Sequence, residues 1–390
     1  MAYTHTQVPA SVMAGTPSQK LTYFLDKTIL HARLDMALHD ALDAILSETG
    51  PDIVIVTGPT GVGKTTLAAR LEREVANHFE PNRRYSPGMI PVVRLSAVTT
   101  GSQGFDWRDF YIRLLCRLDQ TNPQLKLDFG GEPGHLSEAP FHMAKSRLTT
   151  GGYERTIEVA LQHRSAHVLI IDEANQIVVG CNPKELRRRF EVIKSLAIET
   201  GVTIILVGTY DLLEIRDQSA QLVRRSRIIH LPRYRLDDAD DCTAFGSALQ
   251  TFGAHMPFAQ VPDLTEQFEY FYLKSAGCVG ILKVWLDAVV EAALNANQDQ
   301  LTIEEMEHYA MENRCLQTII EEALVGERKL AAVSLDALKN LVLAHKAGLR
   351  QAGKSDIGRH FGKPRQKRRV GERSARRDPV GRKDAASGGV

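Results

Sequence analysis

The sequence predicts an α/β protein, a parallel five-stranded sheet between helices, followed by a small helical domain. Three observations predict it. Short β-branched runs recur with amphipathic helical stretches between them, which is the pattern of parallel strands joined by crossover helices. A glycine-rich loop follows the first of these runs and opens a helix. After Pro232 the strand pattern stops and only helical periodicity continues.

Composition sets the limits. The chain has 390 residues, 43% hydrophobic and 24% charged, enough for a packed core and more than one domain. No apolar run reaches the length of a membrane span, and the N-terminus lacks a basic stretch before an apolar core. A cytoplasmic protein with no membrane partner is expected. Cys116, Cys181, Cys242, Cys278 and Cys315 lie too far apart for zinc-ligand spacing and are read as reduced, packed thiols. The net charge of +1 hides an asymmetry. Residues 327–390 carry 17 Lys/Arg against 6 Asp/Glu, leaving 31 against 41 in residues 1–326. An acidic body with a basic tail excludes a globally basic DNA coat, so any nucleic-acid contact by the body is local.

Residues 1–20 mix Thr, Ser, Pro and Gly and are expected to be flexible. From Leu21 to Leu46 the pattern is helical, with Leu34, Leu38, Leu42 and Ile45 at spacings of three and four. Ile53–Val56 reads as a buried strand. The helix after the glycine-rich loop carries a stripe of Leu67, Leu71, Val75 and Phe79. A strand is expected near Ile90–Leu95, a helix over Trp107–Leu118, and an inserted loop or hairpin over the Pro/Gly-rich 119–150. Then follow a helix over Tyr153–Gln162, a strand at His167–Ile171 and a helix over Lys184–Glu199. Strands at Val202–Val207 and Arg227–Leu231 complete the sheet. Beyond residue 235, Thr302 and Glu305 form a capping box at a helix start, and a short helix is expected over Ser334–Lys346. The expected domains are 21–235 α/β, 236–326 helical and 327–390 a basic, partly disordered tail.

Gly58-Pro59-Thr60-Gly61-Val62-Gly63-Lys64-Thr65, with Thr66 behind it, matches the Walker A pattern between a strand and an amphipathic helix. Glycines let backbone N–H groups curl round phosphates, and the helix start adds its positive dipole end. Lys64 supplies a point charge to the β and γ phosphates, and Thr65 offers a hydroxyl to Mg²⁺. The run Val168–Ile171 ends in Asp172 and Glu173, a Walker B pattern. Asp172 is expected to hold Mg²⁺ and Glu173 to polarise the attacking water. ATP and Mg²⁺ are the implied ligands. Thr209, at the end of the fourth strand, is the candidate γ-phosphate sensor, with a simple strand-end turn as the alternative. Asn175 either orients groups or caps the next turn. Arg224 and Arg225 precede the fifth strand as arginine-finger candidates for a neighbouring subunit, or else form a solvated basic turn. Arg187, Arg188 and Arg189 are read as a solvated or subunit-contacting face. Lys283, near the start of a long helix, either folds back onto the phosphates or is an ordinary surface lysine.

In this order the motifs resemble those of AAA+ P-loop ATPases, and within that class the chain resembles the TnsC/TniB regulators of DNA transposition. The residues that carry the resemblance are Gly58–Thr66, His167–Asn175, Val207–Leu212, Arg224-Arg225, Ile229–Tyr234, Ser275–Gly277 and Gly280–Leu282, within roughly residues 25–325. The resemblance implies an AAA+ fold with a helical lid and ATP-dependent homo-oligomers on duplex DNA. These would be rings or helical filaments of roughly six or seven subunits per turn. It further implies partners of the transposase type (TnsB) and target-selector type (TniQ or TnsD), with hydrolysis redistributing the oligomer. Lys283 stands where such proteins commonly carry arginine.

Duplex DNA affinity comes mainly from contacts to phosphates. Thr99, Thr100 and Ser102 after the second strand, and Lys145 and Arg147 at the end of the insert, are the DNA-contact candidates, against plain solvated loop residues. The tail run Lys363, Arg365, Lys367, Arg368, Arg369, Arg373, Arg376 and Arg377 suits DNA or an acidic partner, or merely solubilises the end. Two other functions share the catalytic core: an origin-initiator or helicase-loader ATPase, and a signalling or scaffolding NTPase that binds only proteins.

Overall fold

In the computed structural model, residues 6–47, 49–99, 104–118, 149–218, 225–331, 334–340 and 342–343 are described. The chain divides into two units, Met1–Ala331 and Ala332–Val390.

The first unit is built on five parallel strands, β1 (Ile53–Thr57), β2 (Val92–Ser96), β3 (Val168–Asp172), β4 (Thr203–Gly208) and β5 (Ser226–His230). Their order across the sheet is β2-β3-β4-β1-β5. This is an AAA+ P-loop ATPase fold, as the sequence predicts. Every residue of β1 and β3 is buried, because helices cover both faces. Alternation persists inside the sheet. Ile53, Ile55, Leu169, Ile171, Ile204 and Leu206 pack under α5 (Trp107–Leu118), α6 (Thr150–His163) and α7 (Pro183–Thr200). Val54, Val56, Ile170, Ile205 and Val207 face α3 (Ala32–Leu46) and α4 (Lys64–Arg83). Each fully buried Ile or Val side chain contributes about 2 kcal/mol.

Local signals set the helix bounds. Asn182 accepts from the Glu185 N–H, Pro183 occupies the first turn and Gly201 closes α7 at φ 70°. The expected stripe of Leu186, Phe190, Ile193 and Ala197 is buried. In α4, Leu67, Leu71 and Val75 are buried, and Phe79 stacks on His167 at 4.2 Å. The short α8 (Leu213–Gln218) follows β4 and had no clear sequence signal.

The C-terminal part of this unit is helical: α9 (Ala239–His255), α10 (Phe268–Ser275), α11 (Val279–Asn295), α12 (Ile303–His308) and α13 (Asn313–Leu330). Thr302 and Glu305 form the predicted capping box on α12. These helices enclose a third core of Phe245, Phe252, Phe271, Trp285 and Leu286.

The N-terminus differs from expectation. Two helices, α1 (Ala10–Met13) and α2 (Pro17–Leu25), occupy much of the stretch expected to be flexible. The continuous helix expected from Leu21 breaks at Asp26 and restarts at Ala32. Thr16 accepts from the Gln19 N–H while the Gln19 side chain accepts from the Thr16 N–H, a full capping box, with Pro17 in the first turn. Phe24 is 0% exposed and belongs to the helical core, not to the sheet.

In the second unit, residues 335–340 and 342–343 are helical, inside the stretch predicted from Ser334 to Lys346. The basic run from Lys363 to Arg377 lies outside the described residues, as do residues 119–148 of the expected insert, whose last two residues instead cap and open α6.

Candidate functional site

The glycine-rich loop joins β1 to α4 at the C-terminal edge of the sheet. Gly61 and Gly63 sit at φ 76° and 107°, conformations that L side chains avoid. They fold the loop so that it leads straight into the first turn of α4. The four leading N–H groups of that helix have no intrahelical acceptor, which makes the turn an anion site. Lys64 is 9% exposed, and its ammonium donates to the carbonyls of Gly58 at 3.1 Å and Pro59 at 2.8 Å. Burial lowers its pKa below the usual lysine value, against the raising effect of Glu173. A desolvated cation under such a loop is ready to exchange two carbonyls for phosphate oxygens.

Asp172 closes β3 and is buried. One carboxylate oxygen accepts from the Glu173 N–H at 3.0 Å. The other lies 3.7 Å from the Arg94 guanidinium, which is itself held by Glu72 of α4 at 2.6 Å. Glu173 is exposed and stands at φ 51°, an unusual conformation for a residue other than glycine. The hydroxyl of Thr209 donates to Asp211 at 2.9 Å, and the buried Thr57 hydroxyl fixes the Thr209 carbonyl at 2.9 Å. Asn175 is buried beneath Gly208, where a Cβ would come 2.7 Å from its Oδ1. That oxygen has no hydrogen-bond partner among the described residues. The side chain therefore makes no cap there.

One cavity of about 350 Å³ brings part of the predicted set together, Thr60 to Thr66 on the loop side, then Glu173 and Thr209, while Asp172 and Asn175 are not among its lining residues. Val279, Gly280 and Lys283 of α11 form a second wall. The third wall was missed from the sequence. It consists of Lys27, Thr28, Ile29, His31 and Leu34, in the break between α2 and α3 and the start of α3. α11 touches the loop directly, since the Ile281 N–H donates to the Gly61 carbonyl at 3.1 Å. His31 caps α3 and exchanges a hydrogen bond with the Tyr234 hydroxyl at 3.0 Å. Burial holds its pKa at about 4, helped by Arg70.

Other predicted residues differ from expectation in their position or their partners. Lys283 lines the cavity, but its ammonium contacts the Phe24 and Leu25 carbonyls and Asp287. Arg225 is exposed and pairs with Asp52 at 2.9 Å. The register aligns Ile53 with Ser226 and Thr57 with His230, so Arg225 stands at the end of the sheet opposite the loop. Six residues of strand put roughly 20 Å between Arg225 and Gly58. It lines a separate cavity with His78 and His167. Arg224 lies outside the described residues. Thr99 is exposed after β2 and bridges to Phe105, whereas Thr100, Ser102, Lys145 and Arg147 lie outside the described residues.

The chemistry of these residues fits a nucleoside triphosphate with Mg²⁺. The loop offers backbone donors and one desolvated cation to phosphates, while Thr65 and Asp172 are oxygen donors of the kind Mg²⁺ takes. Among the described residues no group of three His, Cys, Asp or Glu is gathered for another metal, and no helix is long and apolar enough to cross a membrane.

Residues 47–215 match the family model described as an AAA domain. No curated protein matches the chain in sequence. Among solved structures, the ORC1 protein of Aeropyrum pernix in complex with DNA is 15% identical. The match covers 74% of this chain and 68% of that one at a TM-score of 0.47. The ORC2 protein of the same organism is 14% identical over 81% of this chain and 73% of that one, at 0.43. Domain III of the Thermotoga maritima replication initiation protein DnaA is 12% identical over 74% and 95%, at 0.42.

Proposed function

We propose that this chain is an ATPase whose site is completed by a second copy of itself, and that it works as an ATP-dependent regulator of transposition on duplex DNA. The observation that carries the first part is the gathering of Lys64, Glu173 and Thr209 around one cavity while Arg225 stands at the far end of the sheet.

The chain's own residues account for binding and for activating the nucleophile. The loop amides hold the phosphates of ATP, and Lys64 leaves the carbonyls of Gly58 and Pro59 to pair the β and γ oxygens. Thr65 and Asp172 would hold Mg²⁺, which would supply charge neutralisation to the triphosphate when bound. Glu173 takes the proton of the water that attacks the γ phosphorus, and the bond to the β-bridging oxygen breaks with its electrons leaving on ADP. Thr209 turns its hydroxyl from Asp211 to orient that water. No described arginine of the same chain lines the cavity, so the guanidinium that stabilises the transition state comes from Arg224 or Arg225 of a neighbour. Nucleotide state thereby governs assembly.

The finer reading, a TnsC/TniB-type regulator with DNA, transposase and target-selector partners, is supported by the order of motifs from Gly58 to Leu282 and by the basic tail on an acidic body. Thr99, exposed just beyond β2, would offer its hydroxyl to a backbone phosphate. The test is ATPase activity with and without duplex DNA, using purified protein. Stimulation by DNA, together with recruitment of a transposase only in ATP, supports the reading. Turnover indifferent to DNA removes it in favour of a protein-binding NTPase.

A further inference from the structure

We infer that Lys283 is a clamp, whose ammonium fastens α2 to the lid helix α11 and so closes residues 27–31 over the nucleotide cavity. This rests on the nucleotide site proposed above, but its core test does not need nucleotide.

An ammonium has three donors, and all three of Lys283 have partners. They reach the Phe24 carbonyl at 3.1 Å, the Leu25 carbonyl at 3.4 Å and the Asp287 carboxylate one turn along α11. The same ammonium lies 4.8 Å above the centre of the Phe24 ring. Phe24 and Leu25 are the last residues of α2, where the helix dipole presents its negative end. The Lys283 side chain is 17% exposed and Phe24 is wholly buried, so the contact is only weakly screened by solvent.

The clamp sits at one end of a strap. Asp26 ends α2, and Lys27, Thr28, Ile29 and His31 then form a wall of the cavity. The other end is fixed by the bond of His31 to the Tyr234 hydroxyl. Phe24 also shares the helical core with Leu282 and Leu286 of α11, so the ammonium adds a directional tie to an apolar contact. A lysine serving phosphate would have to leave its carbonyl partners, its carboxylate and the ring together. The two roles predict different nucleotide dependence. A γ-phosphate contact acts on ATP alone, whereas a strap holds ATP and ADP alike.

The experiment compares the wild type with Lys283→Met, which keeps the aliphatic stem, and with Asp287→Asn, which leaves the lysine but loosens its anchor. Amide hydrogen exchange over residues 17–31 is followed without nucleotide, and release of mant-ATP and mant-ADP is followed by stopped flow. Faster exchange over 17–31 in Lys283→Met is expected. So is release of both nucleotides accelerated by one common factor of about tenfold, as loss of charged hydrogen bonds implies. Asp287→Asn should move in the same direction by less. Unchanged exchange over 17–31 overturns the clamp, as does faster release of mant-ATP with mant-ADP unaffected. If the wild type binds neither probe, the nucleotide reading fails, and the exchange data alone still decide whether Lys283 holds the strap. Circular dichroism of each variant separates a loosened strap from global unfolding.

Discussion

The backbone N–H of Ile281 donates to the carbonyl of Gly61 at 3.1 Å, so the first turn of the lid helix rests directly on the phosphate loop. Gly280 makes this approach possible, because a Cβ there would lie 2.3 Å from the same carbonyl oxygen. The first turn of α11 and the loop are thus in direct contact at these two residues.

Gly280→Val tests that contact. The added side chain has to push α11 off the loop, so nucleotide affinity should fall by about tenfold while the sheet stays folded, overpacking of this kind costing about 1–3 kcal/mol. Equilibrium titration with mant-ATP, beside a thermal melt, checks it.

Glu173→Gln should keep ATP binding and lose turnover by at least about a hundredfold, the usual worth of a positioned general base. The amide keeps the shape and hydrogen-bonding reach but cannot accept the proton. Phosphate release measured on protein saturated with ATP checks this, and full turnover would remove Glu173 from the role.

A composite site predicts complementation. Lys64→Ala should abolish nucleotide binding, and the double variant Arg224→Ala/Arg225→Ala should bind ATP but fail to hydrolyse it. Mixed together, the two should recover activity, since one supplies the arginines and the other the loop. ATPase rates across a mixing series read this out.

Much of this site was legible in the sequence because its signals are local. Gly58–Thr65 and Val168–Glu173 each combine a buried strand with a fixed pattern of glycines or carboxylates, and both stand where those patterns predict. The same holds for the capping box of Thr302 and Glu305. The third wall of the cavity was not legible, because it is made by pairing across 203 and 259 positions. His31 meets Tyr234 and Phe24 meets Lys283, and nothing near residues 24–31 encodes those partners. One local signal was present and passed over: Thr16-Pro17-Ser18-Gln19 is a helix start, and it places α2 inside the stretch expected to be flexible.

His31 makes acid stability a test of that wall. Its pKa is lowered to about 4 from 6.5, so its contribution is fully present above pH 6.5 and is lost as pH falls towards 4. There the unfolded chain binds the proton first. Integrated over that window the loss is about 3 kcal/mol. Urea titrations at pH 7 and pH 4.5 should show a steeper fall for the wild type than for His31→Gln.

Gly326 of α13 lies flat against the ring of Tyr210, where a Cβ would come 2.0 Å from Cγ. Gly326→Ala should destabilise the first unit by about 1–3 kcal/mol through overpacking. Denaturant unfolding of the variant measures it.

The most direct measurement of the central claim is negative-stain imaging of the purified protein on duplex DNA with ATP, with ADP, and with none, beside Lys64→Ala. Ordered multimers with ATP, fewer with ADP and none for Lys64→Ala are the predicted result. Identical multimers formed by Lys64→Ala without nucleotide would contradict it.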